Sequence, residues 1–362
     1  MRILIDAMGA PAGRGGMNVY ATQAISSWVE TYPHDELVLV GGTWCTRLAQ
    51  TLDAPQLRVV AITATCAPVR FLVQVFLVAW LRVRLRCDFV LSLSPLVSFL
   101  VPRRRRACVS HDWRHRRRPE EFGFAQRAYR NLWTLSVRRA GTVFCISRKT
   151  ELELQSIAPR VRPVLVPVGG DHPRRWARVN RDEDAFRVLT YCHATNKRPE
   201  LVIDAVTRLS AAGPPVELTL LGTRGNYRDE LLARVPAGWT GSVECPGFVP
   251  DAEYQRLLQR SDVVCLMSSD EGFGFPAVEA GYFGIPCVVA SDSGMTDIHP
   301  IGLTVSEPNA EDLATILSRL RETPERVAAV PSVSWSSTVS GLRNRLQQCL
   351  REPDALLREA GG

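Results

Sequence analysis

Two glutamates, Glu271 and Glu279, stand eight positions apart around a glycine turn in the run Glu271-Gly272-Phe273-Gly274-Phe275-Pro276-Ala277-Val278-Glu279-Ala280. Ionised carboxylates only accept hydrogen bonds, so such a pair suits the hydroxyls of a sugar or a ribose. Gly272 and Gly274 let the backbone bend closely around a ligand, and Pro276 suits the first position of a helix, whose N–H groups favour an anion such as a diphosphate. The short apolar run Val263-Val264-Cys265-Leu266-Met267 reads as a buried parallel strand, which puts Glu271 in the following loop and Glu279 in the first helical turn. Lys197 and Arg198 follow another apolar run, 187–191, and offer cations to an anion such as a phosphate. His111-Asp112 ends the run 107–110 and supplies an imidazole that donates or accepts near neutral pH. Gly13 to Tyr20 is a glycine turn entering a helix, fit for close approach of backbone to phosphate or sugar. Each feature also has a plain structural explanation: solvated carboxylates, surface cations, a satisfied histidine, glycines ending a strand. For Ser147 the structural explanation comes first, as an N-cap reaching Thr150 and Glu151.

Residues so scattered act together only if the fold carries them to strand ends. Short apolar strands alternate with amphipathic helices in two series, the pattern of parallel α/β sheets covered on both faces. The first series runs through Ile3 to Ile5, Leu37 to Val40, Leu57 to Ile62, Phe89 to Ser92, Ala107 to Ser110, Thr142 to Ile146 and Val164 to Val166. The second runs through Arg187 to Tyr191, Glu217 to Leu221, Val243 to Cys245, Val263 to Met267, Cys287 to Ala290 and Gly302 to Val305. In such sheets ligands collect beyond the carboxyl ends of the strands, where every residue singled out above is expected to lie. A chain of 362 residues accommodates two such domains. The expected boundaries are a first domain over 1–170, a polar aperiodic linker over 171–186, a second domain over 187–335 and a terminal helix over 336–362.

The net charge of +7 is local, because residues 101–150 hold fourteen Arg and Lys against three acidic residues and leave the remainder near −4. Its peaks are Arg103-Arg104-Arg105-Arg106 and Arg114-His115-Arg116-Arg117-Arg118. Together with the apolar segment Phe71 to Leu81, which ends in Arg82, Arg84 and Arg86, these runs suggest either a solvated face or contact with an anionic membrane surface. The segment falls short of the roughly 20 residues that span a bilayer. Nucleic acid is not an expected partner, since no binding motif or aromatic platform accompanies the arginines. Ten cysteines without a C-x-x-C pair, several inside apolar runs, read as buried thiols in a reducing compartment. Met1 to Asp6 reads as a core strand and no signal sequence, so a cytoplasmic location is expected, with peripheral attachment to the inner membrane face as its variant.

The segment Ser268 to Ala290 resembles the glutamate-x7-glutamate signature of the retaining glycosyltransferases of family 4. The resemblance implies the α/β GT-B architecture: two Rossmann-like domains facing across a cleft, with a C-terminal helix returning to the first. It assigns Glu279 to the ribose diol of the donor and Glu271 to a place beside the transferred sugar. It also implies Lys197 as a phosphate ligand, Arg198 in place of an arginine usual a few residues earlier, and His111 facing the transferred sugar. Gly15 and Gly16 bear on the diphosphate, as do backbone N–H groups over Phe273, Gly274 and Phe275, while the loop at Val249 contacts the base. The implied reaction moves a hexose from a nucleotide diphosphate donor, GDP-mannose being favoured, to a glycan or lipid-linked acceptor, with retained configuration and no metal or other cofactor. The triplet Asp182-Glu183-Asp184 precedes a strand and reads as solvated. Two other readings stay open: a sugar-nucleotide epimerase on the same fold, and a non-catalytic donor-binding or membrane-associated partner.

Overall fold

Both series of apolar runs form parallel sheets. The computed structural model describes residues 1–10, 13, 15–64, 66–180, 185–210, 215–223, 225–237, 239, 241–323, 327 and 330–351. They divide into two compact units, Met1–Gly169 together with the chain from Val333 onward, and Gly170–Ser332.

The first unit holds β1 (Arg2–Asp6), β2 (Glu36–Gly41), β3 (Leu57–Ala61), β4 (Phe89–Ser92), β5 (Arg106–Ser110), β6 (Thr142–Cys145) and β7 (Val164–Leu165) in the order β3-β2-β1-β4-β5-β6-β7. Its central strands are buried on both faces, with Ile3, Leu4, Ile5, Val90, Leu91, Val109 and Phe144 removed from solvent. Strands enclosed in this way must be apolar throughout, which is why they read as continuous runs and not as alternation. The helix Trp335–Arg351 packs on the helix Gly16–Thr31. Arg343 makes a forked pair with the buried carboxylate of Asp35 at 2.7 and 3.0 Å, Tyr32 donates to Ser340 at 2.8 Å, and the Trp335 ring meets Tyr20 edge-on. Gly169 admits this packing, since a Cβ there would lie 2.6 Å from the Trp335 backbone nitrogen.

The second unit holds β8 (Phe186–Tyr191), β9 (Val216–Leu221), β10 (Ser242–Gly247), β11 (Val263–Leu266), β12 (Cys287–Ala290) and β13 (Thr304–Ser306) in the order β10-β9-β8-β11-β12-β13. The expected linker is drawn differently. From Gly170 the chain belongs to the second unit: His172–Arg175 is a 3-10 turn with His172 and Pro173 buried, and the Trp176 ring stacks on Phe283 at 5.7 Å. Burial of an imidazole and an indole outweighs the polar, aperiodic look of the segment. The junction at its far end falls between Ser332 and Val333, ahead of the terminal helix. The triplet Asp182-Glu183-Asp184 lies outside the described residues.

The ten cysteines are free thiols, and Cys45, Cys87, Cys108, Cys145, Cys192, Cys265 and Cys287 are buried. Burial pushes the Cys265 thiol up to about 12, so it behaves as a small apolar side chain. Among the described residues, no helix is long and apolar enough to cross a membrane.

Candidate functional site

In the second unit the strand order reverses between β8 and β11, so the loops that leave their carboxyl ends diverge and open a crevice. Lys197 lies on the first loop and Glu271 on the second, and they meet: Nζ donates to Oε1 at 2.5 Å, with Ser268 Oγ donating to the same oxygen at 2.7 Å. The backbone stitches these loops together, Ser269 N to the Asn196 carbonyl at 2.9 Å and Glu271 N to the Ser293 carbonyl at 3.1 Å. Burial raises the Glu271 pKa, but the Lys197 charge and the hydrogen bonds from Lys197 and Ser268 overcome it and hold the carboxyl below its ordinary 4.5. The glutamate is therefore ionised at neutral pH. An ammonium has three donors, so the pair with Glu271 leaves Lys197 capacity for a second anion.

Arg198 reaches the same edge in a left-handed conformation, φ 48°. Its guanidinium closes on Asp292 through two bonds of 2.8 and 2.6 Å, tying the β8 loop to the loop after β12. The expected substitute phosphate ligand thus has a carboxylate in its fork.

Glu279 sits one turn deeper than the sequence suggested. The helix begins at Phe275, with Gly274 as its cap at φ 79°, and Glu279 falls in its second turn. The left-handed φ selects glycine at position 274, where a Cβ would also displace the flexible end of Met295, its methyl 2.4 Å away. Glu279 is 3% exposed. One carboxylate oxygen pairs with His172 Nε2 at 2.9 Å, and the other accepts from the Tyr254 hydroxyl, which in turn meets Tyr191 at 3.1 Å. Carboxylate oxygens have two acceptor directions each, and these two bonds use one on each oxygen. Sequence reasoning missed His172, Tyr254 and Tyr191. The signal available for His172 was a histidine and a tryptophan in a stretch otherwise fit for a connector, where Gly and Ser would be usual.

The turn between the two glutamates is held by ring packing and a hydrogen bond. Phe273 and Phe275 pack edge-to-face at 4.9 Å, and His299 Nε2 donates to the Phe273 carbonyl at 2.7 Å. Burial lowers the His299 pKa, which keeps the ring neutral. Val249 is half-buried against the same core as Leu258, two residues beyond Gly247 at φ 77°.

The remaining candidates belong to the first unit. Gly15 caps the helix Gly16–Thr31 at φ 78°, and among the described residues no atom lies within 4 Å of the position a Cβ would take. His111, just beyond β5, is buried, with Nε2 2.9 Å from the Leu93 carbonyl and its ring edge-on to Tyr20 at 5.0 Å. Burial pulls its pKa down, so it is a neutral imidazole that donates to Leu93. Asp112 pairs with Arg130 at 3.3 Å and caps the turn at Arg114. Ser147 accepts from Thr150 N at 3.2 Å, the N-cap its position suggested.

One group here was not anticipated. Asp6, at the end of β1 where the first sheet reverses toward β4, has no exposure; it accepts from Gln74 Nε2 at 2.9 Å, Ser92 Oγ at 3.1 Å and Met8 N at 2.9 Å. Desolvation outweighs those bonds and pushes its pKa up to about 6.

The two basic runs separate. Arg114 pairs with Glu121 at 3.2 Å, Arg117 with Glu153 at 2.9 Å, and Arg116 donates to Thr134. Arg106 is buried and donates to the carbonyls of Ser98, Val101 and Arg139. Arg103 and Arg105 stay exposed. Among the described residues, no group of three or more His, Cys, Asp or Glu is arranged to hold a metal ion.

Residues 176–330 match the family model described as glycosyl transferases group 1. The chain is similar to D-inositol 3-phosphate glycosyltransferase of Rhodococcus opacus, 30% identical over 165 residues that cover 40% of this chain and 37% of that protein. It is similar to the GDP-mannose-dependent alpha-(1-6)-phosphatidylinositol dimannoside mannosyltransferase of Mycobacterium tuberculosis, 31% identical over 168 residues that cover 43% and 42% of the two. The chain thus spans less than half the length of these curated relatives. In fold it is similar to the Anabaena protein HepE solved with UDP and glucose, with a TM-score of 0.66 at 18% identity over 97% of each chain. Two α/β units, each around one parallel sheet, are the GT-B architecture.

Proposed function

From the membership of residues 176–330 in the glycosyl transferases group 1 family, we propose that the chain transfers a hexose from a nucleotide diphosphate sugar to an acceptor hydroxyl with retention of configuration. The observation that carries the reading is the Lys197–Glu271 pair, held at the crossover of the second sheet where α/β proteins collect ligands. In this reading the remaining donors of Lys197 take oxygens of the diphosphate and stabilise the charge that grows there as the glycosidic bond breaks. Glu271, kept ionised by that lysine, accepts from a hydroxyl of the sugar, and Glu279 accepts from the ribose through the directions His172 and Tyr254 leave open. The leaving diphosphate takes the acceptor proton from the same face, so neither metal nor further cofactor is required. His111 is the first unit's candidate for a hydrogen bond to sugar. The relative named as GDP-mannose-dependent supports mannose as the donor sugar, and the inositol phosphate and phosphatidylinositol in the relatives' names support a polyol or lipid-linked acceptor.

The test is calorimetric binding of GDP, UDP, dTDP and ADP, each with and without magnesium. One diphosphate should bind without the metal, and its sugar conjugate should then give a product of retained anomeric configuration by NMR. Binding by none of the four would sink the donor site. Incubation with donor alone separates transfer from epimerisation: a new sugar isomer without acceptor would replace the transferase reading.

A further inference from the structure

The first unit carries a helix whose outer face stands exposed among the described residues. Residues 67–84 form one helical stretch, Ala67–Leu72 continuing through a π-helical turn Val73–Leu77 into Val78–Arg84. Val73, Val75, Val78 and Leu81 face the core of the unit. On the other side Leu72, Phe76, Trp80 and Val83 are 53, 51, 59 and 69% exposed. Their spacing of four, four and three residues lines them up along one stripe. Ser98 Oγ donates to the Val75 carbonyl at 2.6 Å on the buried side of the helix, and the two residues that follow, Phe99 and Leu100, are again exposed. Soluble monomers rarely expose contiguous apolar surface of this kind.

Charge decides what would cover it. No acidic residue occurs from 67 to 84. Arg84 and Arg86 stand exposed at the helix end, and the Arg103–Arg105 turn lies nearby, where Arg105 donates to the Asp88 carbonyl at 3.2 Å and its charge acts on Arg82. In that turn Arg103 and Arg105 are exposed, whereas Arg114 and Arg117 of the second run pair with Glu121 and Glu153. A stripe of Leu, Phe, Trp and Val edged by arginine matches a surface with acyl chains beneath anionic headgroups: aromatic and aliphatic side chains enter the headgroup boundary, while arginines stay at phosphate level.

We propose that the stripe Leu72–Phe76–Trp80–Val83, with Phe99 and Leu100 and the rim of Arg84, Arg86, Arg103 and Arg105, is a docking face for an anionic lipid bilayer. The helix lies in the interface and does not cross it, since its inner face belongs to the protein core. The inference is independent of the transfer reaction and stands or falls apart from it.

The test is flotation of the full chain with phosphatidylcholine vesicles, with and without phosphatidylglycerol. Binding should be stronger by about tenfold or more to the anionic vesicles and should fall as salt is raised. Free glycerol phosphate should not compete, which separates a bilayer from a soluble phosphate site. The double variant Phe76→Ser, Trp80→Ser should lose vesicle binding by a comparable factor while keeping its circular dichroism and unfolding temperature, because both side chains point away from the core. Trp80 emission, taken as the difference from Trp80→Phe, should shift to the blue on anionic vesicles alone. Undiminished binding by the serine variant overturns the proposal. So does absence of partitioning by the wild type, or a wild-type dimer that the serine variant renders monomeric, which would give the stripe to a second copy of the chain.

Discussion

The two sheets are wound alike and treat their crossover points in opposite ways. Both reverse strand order beside their first strand, β1 against β4 and β8 against β11. At the second crossover two opposite charges, Lys197 and Glu271, sit at the crevice with part of each side chain in solvent. At the first, a carboxylate is sealed: Asp6 has no exposure and is plugged by Gln74 from the helix over 67–84. Topology names a place where ligands can bind, but the side chains on the diverging loops decide whether it is open. In this chain the second unit's crossover carries a partly exposed ion pair and the first unit's a sealed carboxylate.

The contrast can be broken by experiment, and the largest effect belongs to the open crossover. Glu271→Gln should reduce transfer by on the order of 10²-fold or more while leaving nucleoside diphosphate affinity nearly unchanged. Full turnover by that variant would remove Glu271 from the chemistry.

The titrations of the two carboxylates should run in opposite directions. Glu271 has a lowered folded-state pKa, so its stabilising contribution is complete above its ordinary 4.5 and is lost as pH falls through the lower folded value. Asp6 has a raised one, so its contribution is complete below 3.8 and is lost as pH rises toward about 6. A shift of that size corresponds to about 3 kcal/mol. Hydrogen exchange of the β1 amides should therefore report declining stability between these pH values, and Asp6→Asn should flatten the profile. A slope that survives the substitution would assign it to another group.

Next in size is the donor side of the crevice. Glu279→Ala should weaken nucleoside diphosphate binding by about 1.5–3 kcal/mol, the range of a hydrogen bond to a charged group. Calorimetry that finds equal affinity would take the ribose role from Glu279. The smallest effect sharpens the assignment. Tyr254→Phe removes one of the two groups that hold Glu279 and should weaken the same binding by about 1 kcal/mol with the fold intact. An unchanged value would mean that His172 alone orients the carboxylate.

Legibility varied with the reach of the interactions. The strand positions expected from apolar runs recur within a residue or two; for the central strands the reason is that a strand enclosed on both faces must be apolar at every position, and that leaves a mark in consecutive residues. The loop 271–279 was legible because glycine and proline declare backbone geometry locally. The segment at His172 was not. Its place comes from Glu279, 107 positions away, and a 3-10 turn has too few residues to show a period. Asp6 was equally hidden, since in sequence it is only the polar residue that ends a strand. The arginine runs looked alike, yet partners from 98 to 153 take up Arg106 and most of the second run, while Arg103 and Arg105 are exposed. The apolar segment 71–81 permitted a buried or an interfacial helix, and in the fold one of its faces lies in the core and the other is exposed.

The sequence by itself determined which residues become strands, where the glycine turns fall, and that the chain holds two parallel α/β units, for these follow from burial patterns and backbone preferences expressed over a few neighbouring residues. Only the tertiary structure decided which charges find partners. Lys197 with Glu271, Arg198 with Asp292 and His172 with Glu279 are each set by loops that meet across a sheet edge, and the energy of a charge depends on what surrounds it in space and not on its neighbours in the chain.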